Sequence, residues 1–220
     1  MYRKKLYRTQ SKRSTIVRTL LKTLKERDII NEEHVNRLET LLARMAGVTG
    51  LPESTISDLR LLAKFHDIGK IGISDVILLK EGPLTSEEWA GLKRHCEIGY
   101  RIALSASDLI PIADWILKHH EWWNGQGYPL GLKGEDIPRE CRILAIADAY
   151  DSLTSGRPYR RAYSHAEAIV ELRSHSGTQF DPGLLETFGQ MFEAHPFTER
   201  LLGSEETFSF PLPAIGKQLP

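Results

Sequence analysis

Hydrophobic and polar positions repeat with a helical period along most of the chain. Between residues 31 and 47, apolar side chains recur three and four residues apart, at Val35, Leu38, Leu41, Leu42 and Met45. This spacing places them on one face of a helix. The same period predicts further helices from Pro52 to His66, from Thr85 onward, over 109–120, from Pro138 onward, over 164–174 and over 181–194. Because no stretch alternates with the period of a strand, the predicted fold class is all-α.

Two glycine-rich segments interrupt these predicted helices. The first, residues 69–82, reads as a loop or a broken helix. The second spans 125–134 and contains Tyr128, with Trp122 and Trp123 just before it. Large aromatic side chains are unusual in a loop that only connects helices. This segment is therefore a candidate for stacking on a flat ligand or contacting a partner.

The pattern also divides the chain into regions. Residues 1–30 are rich in lysine and arginine and predict an amphipathic helix with an apolar stripe of Ile16, Val17, Leu20, Leu21 and Leu24. This helix either packs against the main core, or it is a signalling or linker helix that pairs with its copy in a homodimer or connects to an upstream sensor. Residues 31–195 are predicted to form the main domain, and 196–220 a proline-containing tail.

Composition narrows the functional classes. The chain has 220 residues and a formal net charge of zero, which argues against general binding to nucleic acid polymers or membrane surfaces. No apolar run approaches the roughly 18 residues of a membrane span, and the N-terminus lacks the apolar core of a signal peptide. Cys96 and Cys141 are far apart and read as reduced thiols. We expect a cytoplasmic protein, or the cytoplasmic end of a longer membrane protein.

The pair His66-Asp67 closes the apolar helical run that begins at Ile56. Placing polar groups at the inner end of such a run costs several kcal/mol unless each finds a partner. One explanation is a private hydrogen-bonded pair in the core. The other is a metal ion, which takes neutral imidazole and carboxylate together. The pair alone favours the first explanation.

Five histidines and two aspartates lie at or beside apolar helical positions: His34, His66, Asp67, His95, His119, His120 and Asp148. Mixed imidazole and carboxylate is the ligand set of Fe, Mn, Zn or Ni. Seven ligands are too many for one ion, but they suit two ions bridged by one carboxylate, about 3.5–4 Å apart. The remaining histidines, His165, His175 and His195, lie in polar or helix-terminal contexts and are assigned to the surface.

An ordered set of motifs then carries a family resemblance. The chain resembles the HD-GYP subgroup of the HD-domain metal-dependent phosphohydrolases, with matching order and spacing from about residue 31 to 190. The matches are His66-Asp67-Ile68-Gly69-Lys70-Ile71-Gly72, Lys93-Arg94-His95 followed by Glu97-Ile98-Gly99, His119-His120-Glu121, Gly125-Gln126-Gly127-Tyr128-Pro129, Gly131-Leu132-Lys133-Gly134, Ala147-Asp148-Ala149-Tyr150-Asp151, Arg157-Pro158-Tyr159-Arg160 and Gly177-Thr178-Gln179-Phe180-Asp181-Pro182.

This resemblance implies an HD-domain-like helical bundle with a glycine-rich Gly-Tyr-Pro loop, over residues 31–195. The implied activity is hydrolysis of the bacterial second messenger cyclic di-GMP to linear pGpG, in some members on to GMP. All seven residues are implied metal ligands, and Asp67 is the implied bridge. Lys70 is expected to act in catalysis with His66 and Asp67 and to face the scissile phosphate. Tyr128, Arg157 and Arg160 are expected near the substrate.

The sequence also departs from the family pattern. Some members bind a third metal through a glutamate one turn before the first histidine, where this chain has Ile30, which cannot be a ligand. We therefore expect two divalent ions, with Fe or Mn favoured and Zn, Ni or Co as alternatives. Other departures remove no ligand; they are Ser74, Cys96, Trp122, Asn124 and Gly156.

Two rival functions remain open at this point. One is hydrolysis of another cyclic dinucleotide or phosphoester. The other is a non-catalytic module whose Gly-Tyr-Pro loop docks a partner such as a diguanylate cyclase (GGDEF) domain. A complete set of ligands favours catalysis, since a docking module has no need of them, although one chain could do both.

Overall fold

The structure is a computed structural model that describes residues 31–155 and 161–194, together with Thr19, Leu20, Lys22 and Leu24. Most of the predicted N-terminal helix and the whole predicted tail lie outside the described residues. Arg157, Arg160 and Ile30 lie outside them as well.

The described residues are helical, and the all-α prediction is confirmed. The α-helices are α1 (Glu32–Val48), α2 (Glu53–Phe65), α3 (Asp75–Leu78), α4 (Ser86–Lys93), α5 (His95–Ser105), α6 (Ile110–Lys118), α7 (Arg139–Thr154), α8 (His165–Ser174) and α9 (Pro182–Ala194), with 3₁₀ helices at Ile68–Gly72 and Gly134–Asp136. Within this part of the chain no strand forms, and only isolated bridges occur, between Asn124 and Lys133 and between Ser176 and Phe180.

Local sequence explains where several helices begin. The Asn31 side chain accepts hydrogen bonds from the backbone N–H groups of Glu33 (2.9 Å) and His34 (3.2 Å), two of the donors that a helix start leaves unpaired. Thr85 and Ser164 form capping boxes with the glutamates three residues later. These caps agree with the helix starts predicted from the sequence.

The apolar faces of most helices meet in a main core around α7, which has buried residues on all of its sides. A second, smaller cluster consists of Ile73, Leu78 and Leu92. Helix α7 contacts α1, α6, α8 and α9, while α5 packs on α6 and on the first 3₁₀ helix. Leu38, Leu62, Ile112, Ile146 and Phe188 are fully buried in the main core, and each such side chain contributes about 1.5–3 kcal/mol through burial. None of the helices among the described residues is long and apolar enough to cross a membrane.

Gly69 allows the first 3₁₀ helix to touch the start of α5. A Cβ atom on Gly69 would lie 1.8 Å from the carbonyl oxygen of His95 and 2.5 Å from the backbone nitrogen of Gly99. No side chain fits into that space, so only glycine permits this approach. The contact brings the backbone of His95 next to the segment that carries Asp67.

Candidate metal centre

The structure brings together all seven residues that the sequence singled out, in two groups. The four-residue cluster consists of Asp67, His95, His119 and His120, and the three-residue cluster consists of His34, His66 and Asp148. In each cluster, one potential ligand atom per residue lies within 4.8 Å of every other. The described residues thus contain two groups that could each hold a metal ion.

Helix ends supply most of these side chains. His34 lies in the first turn of α1, His95 is the first residue of α5, and His66 and His119 are the residues that end α2 and α6. Only Asp148 lies in the middle of a helix, on α7. The two clusters therefore form where several helix ends converge on α7.

Three of the histidines are oriented in the same way. In each, ring atom Nδ1 lies within hydrogen-bond distance of the backbone carbonyl oxygen three residues earlier: His66 to Ala63 at 3.1 Å, His95 to Leu92 at 2.8 Å and His119 to Ile116 at 2.7 Å. Because a carbonyl can only accept, Nδ1 carries a proton in each of the three rings, and in the neutral ring Nε2 then has a free lone pair. This arrangement prepares Nε2 of each ring as a metal ligand.

His34 is oriented instead by a carboxylate on another helix. Its Nδ1 lies 2.7 Å from Oδ2 of Asp151, and its Nε2 lies 3.5 Å from Oδ1 of Asp148. Arg37 donates from Nε to the other oxygen of Asp151 at 2.5 Å. Burial raises the pKa of the Asp151 carboxyl, but the hydrogen bonds from His34 and Arg37 outweigh it and lower the net pKa. Asp151 thus remains ionised and holds the His34 ring in place.

Asp151 corrects one expectation. Among the carboxylates of α7 the sequence singles out Asp148, because it lies within an apolar helical run, but the Asp148 side chain is 17% exposed and that of Asp151 only 3%. Asp151 could have been identified from its spacing, because it follows Asp148 by three residues and residues three apart share one helix face.

Asp67 lies between the two clusters. Its Oδ1 is 3.5 Å from Nε2 of His95 in the four-residue cluster, and its Oδ2 is 3.3 Å from Nε2 of His66 in the three-residue cluster. Lys70 donates from Nζ to Oδ2 at 2.7 Å. Burial raises the pKa of the Asp67 carboxyl, but the charges of Lys70 and His66 outweigh it and hold the net pKa well below the ordinary value.

The donor set fits a transition metal. Asp67 Oδ1 and His119 Nε2 are buried without a hydrogen-bond partner among the described residues, an arrangement that is costly unless a cation satisfies both atoms. Burial also lowers the pKa of His95, and it lowers those of His119 and His120 well below the ordinary value. Neutral imidazole is the form that binds a metal ion.

The Gly-Tyr-Pro segment, residues 122–134, lies against the four-residue cluster. The Tyr128 ring packs on the His120 ring, with centroids 4.9 Å apart and planes 31° apart, and the Tyr128 N–H donates to the carbonyl of His120 at 3.1 Å. A Cβ atom on Gly127 would lie 2.2 Å from the backbone nitrogen of Trp122. The Tyr128 ring therefore lies beside the four-residue cluster.

Two sets of hydrogen bonds hold the Gly-Tyr-Pro segment in place, and the sequence analysis predicted neither of them. The buried Glu121 carboxylate accepts hydrogen bonds from the N–H groups of Leu130 (2.6 Å) and Leu132 (2.9 Å). On the other side, Trp123 and Asn124 donate from their N–H groups to the carbonyls of Gln179 and Thr178, inside the motif that precedes α9. Glu121, Thr178 and Gln179 all lie in motifs that carry the family resemblance. The N–H groups that they bind can be identified only from the folded structure.

With this geometry established, the chain can be compared with known proteins. The HD domain family model matches residues 15–184, which is more than half of the chain. The chain belongs to the HD domain family.

Two curated relatives of this HD domain are named as cyclic di-GMP phosphodiesterases. A cyclic di-GMP phosphodiesterase of Thermotoga maritima is 42% identical over 164 residues, covering 74% of this chain and 45% of the relative. The cyclic di-GMP phosphodiesterase response regulator RpfG of Xanthomonas campestris pv. campestris is 38% identical over 175 residues, covering 79% of this chain and 46% of the relative. The chain thus spans about half the length of these relatives. The predicted membership of the HD-GYP subgroup is confirmed.

A solved structure shares the architecture of this HD domain. It is described as a cyclic GMP-AMP specific phosphodiesterase of Vibrio cholerae (V-cGAP3), and it aligns with a TM-score of 0.60 and 26% sequence identity. The alignment covers 78% of this chain and 46% of that one.

Proposed function

We propose that this chain hydrolyses cyclic di-GMP to linear pGpG with two divalent transition-metal ions. The observation that carries the proposal is the position of Asp67, which directs one carboxylate oxygen towards each of two ligand clusters. Relatives named cyclic di-GMP phosphodiesterases support the choice of substrate.

The four-residue cluster would hold one ion and the three-residue cluster the other, with Asp67 shared between them. Such a pair of ions, when bound, neutralises phosphodiester charge and lowers the pKa of a water molecule towards neutrality. Histidine and carboxylate ligands suit Fe or Mn, which we favour, and also Zn, Ni or Co.

Lys70 is the proposed catalytic side chain of the protein itself. Its ammonium is buried and donates to Oδ2 of Asp67, so it keeps that carboxylate ionised and fixed in orientation. The same Nζ places a positive charge and a proton donor at the centre. That proton can stabilise charge that develops on the departing ribose oxygen.

Tyr128, Arg157 and Arg160 are the proposed substrate-binding residues. Tyr128 rests on His120 at the edge of the four-residue cluster, where it can position a base or a phosphate. The two arginines would bind non-bridging phosphate oxygens through charge-assisted hydrogen bonds. Their role rests on the motif alone.

Product analysis tests the activity. Metal-free protein is loaded anaerobically with Mn or Fe, its metal content is measured, and it is incubated with cyclic di-GMP and, separately, with 3′3′-cyclic GMP-AMP. We expect two ions per chain and linear pGpG from cyclic di-GMP, and no product from metal-free protein or from His66→Ala. Two bound ions without cleavage of cyclic di-GMP would overturn the proposal, and cleavage of only the mixed dinucleotide would reassign the substrate.

A docking role is the second candidate function. Leu130, in the Gly-Tyr-Pro segment, is 54% exposed although the backbone around it is held firmly by Glu121. A rigid segment presenting an apolar side chain suits contact with a partner such as a diguanylate cyclase domain. Loss of cyclase binding in Leu130→Ser, with turnover unchanged, would support it. The homodimer through the N-terminal helix and the cytoplasmic location stay predictions.

A further inference from the structure

Beside the four-residue cluster, an ammonium group lies against two aromatic rings. Lys93 Nζ is 5.5 Å from the ring centroid of Trp89 and 5.3 Å from that of Tyr128. Trp89 and Lys93 are four residues apart on α4 and so share one face of that helix. The two rings lie edge to face, with centroids 6.1 Å apart. Through Tyr128, which packs on His120, this group continues directly into the candidate metal centre.

No acid in the described part of the chain balances the charge of Lys93. Among the described residues, Lys93 forms no ion pair with a carboxylate, whereas Lys64, Lys80 and Lys118 each do. Lys93 is also half-buried rather than fully solvated. The aromatic rings hold the ammonium in place, and an ammonium without a carboxylate partner can bind an anion through charge-assisted hydrogen bonds. Neither Trp89 nor Lys93 has a role in the centre described so far.

A cyclic dinucleotide presents more groups than the two metal ions can bind. It has two phosphates and two purine bases, and only one phosphate is cleaved at a time. The other phosphate needs a positive charge, and a base needs an aromatic surface beside the centre. The pair of Trp89 and Lys93 offers both of these on the side of the four-residue cluster.

We propose that Trp89, Lys93 and Tyr128 form a subsite for the half of the cyclic dinucleotide that is not being cleaved. In this subsite Lys93 binds the second phosphate, and the Trp89 indole contacts a purine. The inference rests on the proposed function, because it takes the substrate class from it. The subsite determines substrate affinity and leaves the metal ions and the bond cleavage to the two clusters.

The first test replaces the charge of Lys93 while keeping the length of the side chain. In Lys93→Met, KM for cyclic di-GMP should rise about tenfold or more, as expected for loss of a hydrogen bond to a charged group. The value of kcat should stay within about twofold, and metal content and thermal unfolding should match the wild type. Lys93→Arg should restore most of the affinity, and Lys118→Met, at a lysine paired with Asp114, is the matched control.

An unchanged KM in a metal-loaded Lys93→Met protein would overturn the subsite. If this variant binds less metal, Lys93→Gln replaces it, and the comparison with Lys93→Arg decides in the same way. If wild-type protein binds cyclic di-GMP without cleaving it, the proposed function fails separately. The subsite is then judged by Kd, which must still weaken about tenfold in Lys93→Met.

Tryptophan fluorescence supplies a second readout that does not depend on turnover. Cyclic di-GMP added to metal-loaded protein should change the emission of Trp89, and Trp89→Phe should lose most of that change. Trp115→Phe should keep it, and this control is matched because Trp115 and Trp89 are both partly buried against apolar clusters. Trp89→Leu should weaken binding about fivefold or more, since base stacking on an aromatic side chain is lost. An equal fluorescence change in wild type and Trp89→Phe would contradict contact with the base.

Discussion

The two ligand clusters differ in how one histidine is held in place. In the four-residue cluster, His95 and His119 are buried and bonded to carbonyls of their own helical turn. In the three-residue cluster, the His34 side chain is 25% exposed, and it is bonded to Asp151, 117 residues away along the chain. His66 belongs to this second cluster but uses a carbonyl, as the histidines of the first cluster do.

The orientation of the carbonyl-bonded histidines depends on local helix structure, whereas that of His34 depends on tertiary packing. A carbonyl three residues away is present whenever the helix forms, and no side-chain substitution can remove it. The bond between His34 and Asp151 exists only when α1 packs on α7, and it also depends on the charge contributed by Arg37. We therefore expect the four-residue cluster to be the more robust of the two and the three-residue cluster to be the more sensitive to mutation.

The largest effect should come from the residue that joins the clusters. Asp67→Asn keeps the shape of the side chain but removes the charge that is proposed to serve both ions. We expect metal content to fall below one ion per chain and turnover to fall by about a thousandfold or more, since two-metal stabilisation contributes several kcal/mol. Elemental analysis and product chromatography measure the two effects. Asp114→Asn, at an exposed carboxylate, is the control, and retention of two ions in Asp67→Asn would refute a shared ligand.

A smaller effect, confined to one cluster, should follow from Asp151→Asn. The amide cannot supply the negative charge that fixes the His34 ring, and loss of such a partner typically lowers metal affinity about 10- to 100-fold. At limiting metal we expect one tightly bound ion, in the four-residue cluster, and one weak one. Titration with a competing chelator resolves the two affinities. Equal weakening of both ions would show that the clusters are not independently anchored.

The smallest effect should come from Glu121→Gln, which touches neither cluster directly. An amide has a single acceptor oxygen, so one of the N–H groups of Leu130 and Leu132 loses its partner. We expect the free energy of unfolding to fall by about 1–3 kcal/mol and KM to rise a few-fold as Tyr128 is held less firmly. Metal content should not change. Denaturant unfolding and steady-state kinetics measure the two effects, and Glu87→Gln, at an exposed glutamate, is the control. An unchanged unfolding curve would argue that the hydrogen bonds to Glu121 do not stabilise the segment.

Sequence reasoning succeeds where the information is local. Asn31, Thr85 and Ser164 mark helix starts because each cap bonds to N–H groups within three residues of itself. The seven candidate ligands could be found because each places a polar group at or beside an apolar stripe, which is visible without knowledge of the fold.

What the sequence does not reveal depends on partners that are distant along the chain. Glu121 binds N–H groups nine and eleven residues away, and Asp151 binds a histidine on α1. That Lys93 has no carboxylate partner among the residues that the structure describes is evident only once the surroundings of α4 are known. These roles follow from tertiary packing, which periodicity and composition do not describe.

Gly69 gives the centre a fixed dimension. The first 3₁₀ helix and α5 meet backbone to backbone there, so main-chain contact sets the distance between the two segments that carry Asp67 and His95. We expect the backbone positions of such a centre to adjust less to ions of different radius than those of a centre held only by side-chain contacts. Selection among divalent ions would then depend partly on this backbone distance, which would stay the same when one ligand side chain is exchanged for another.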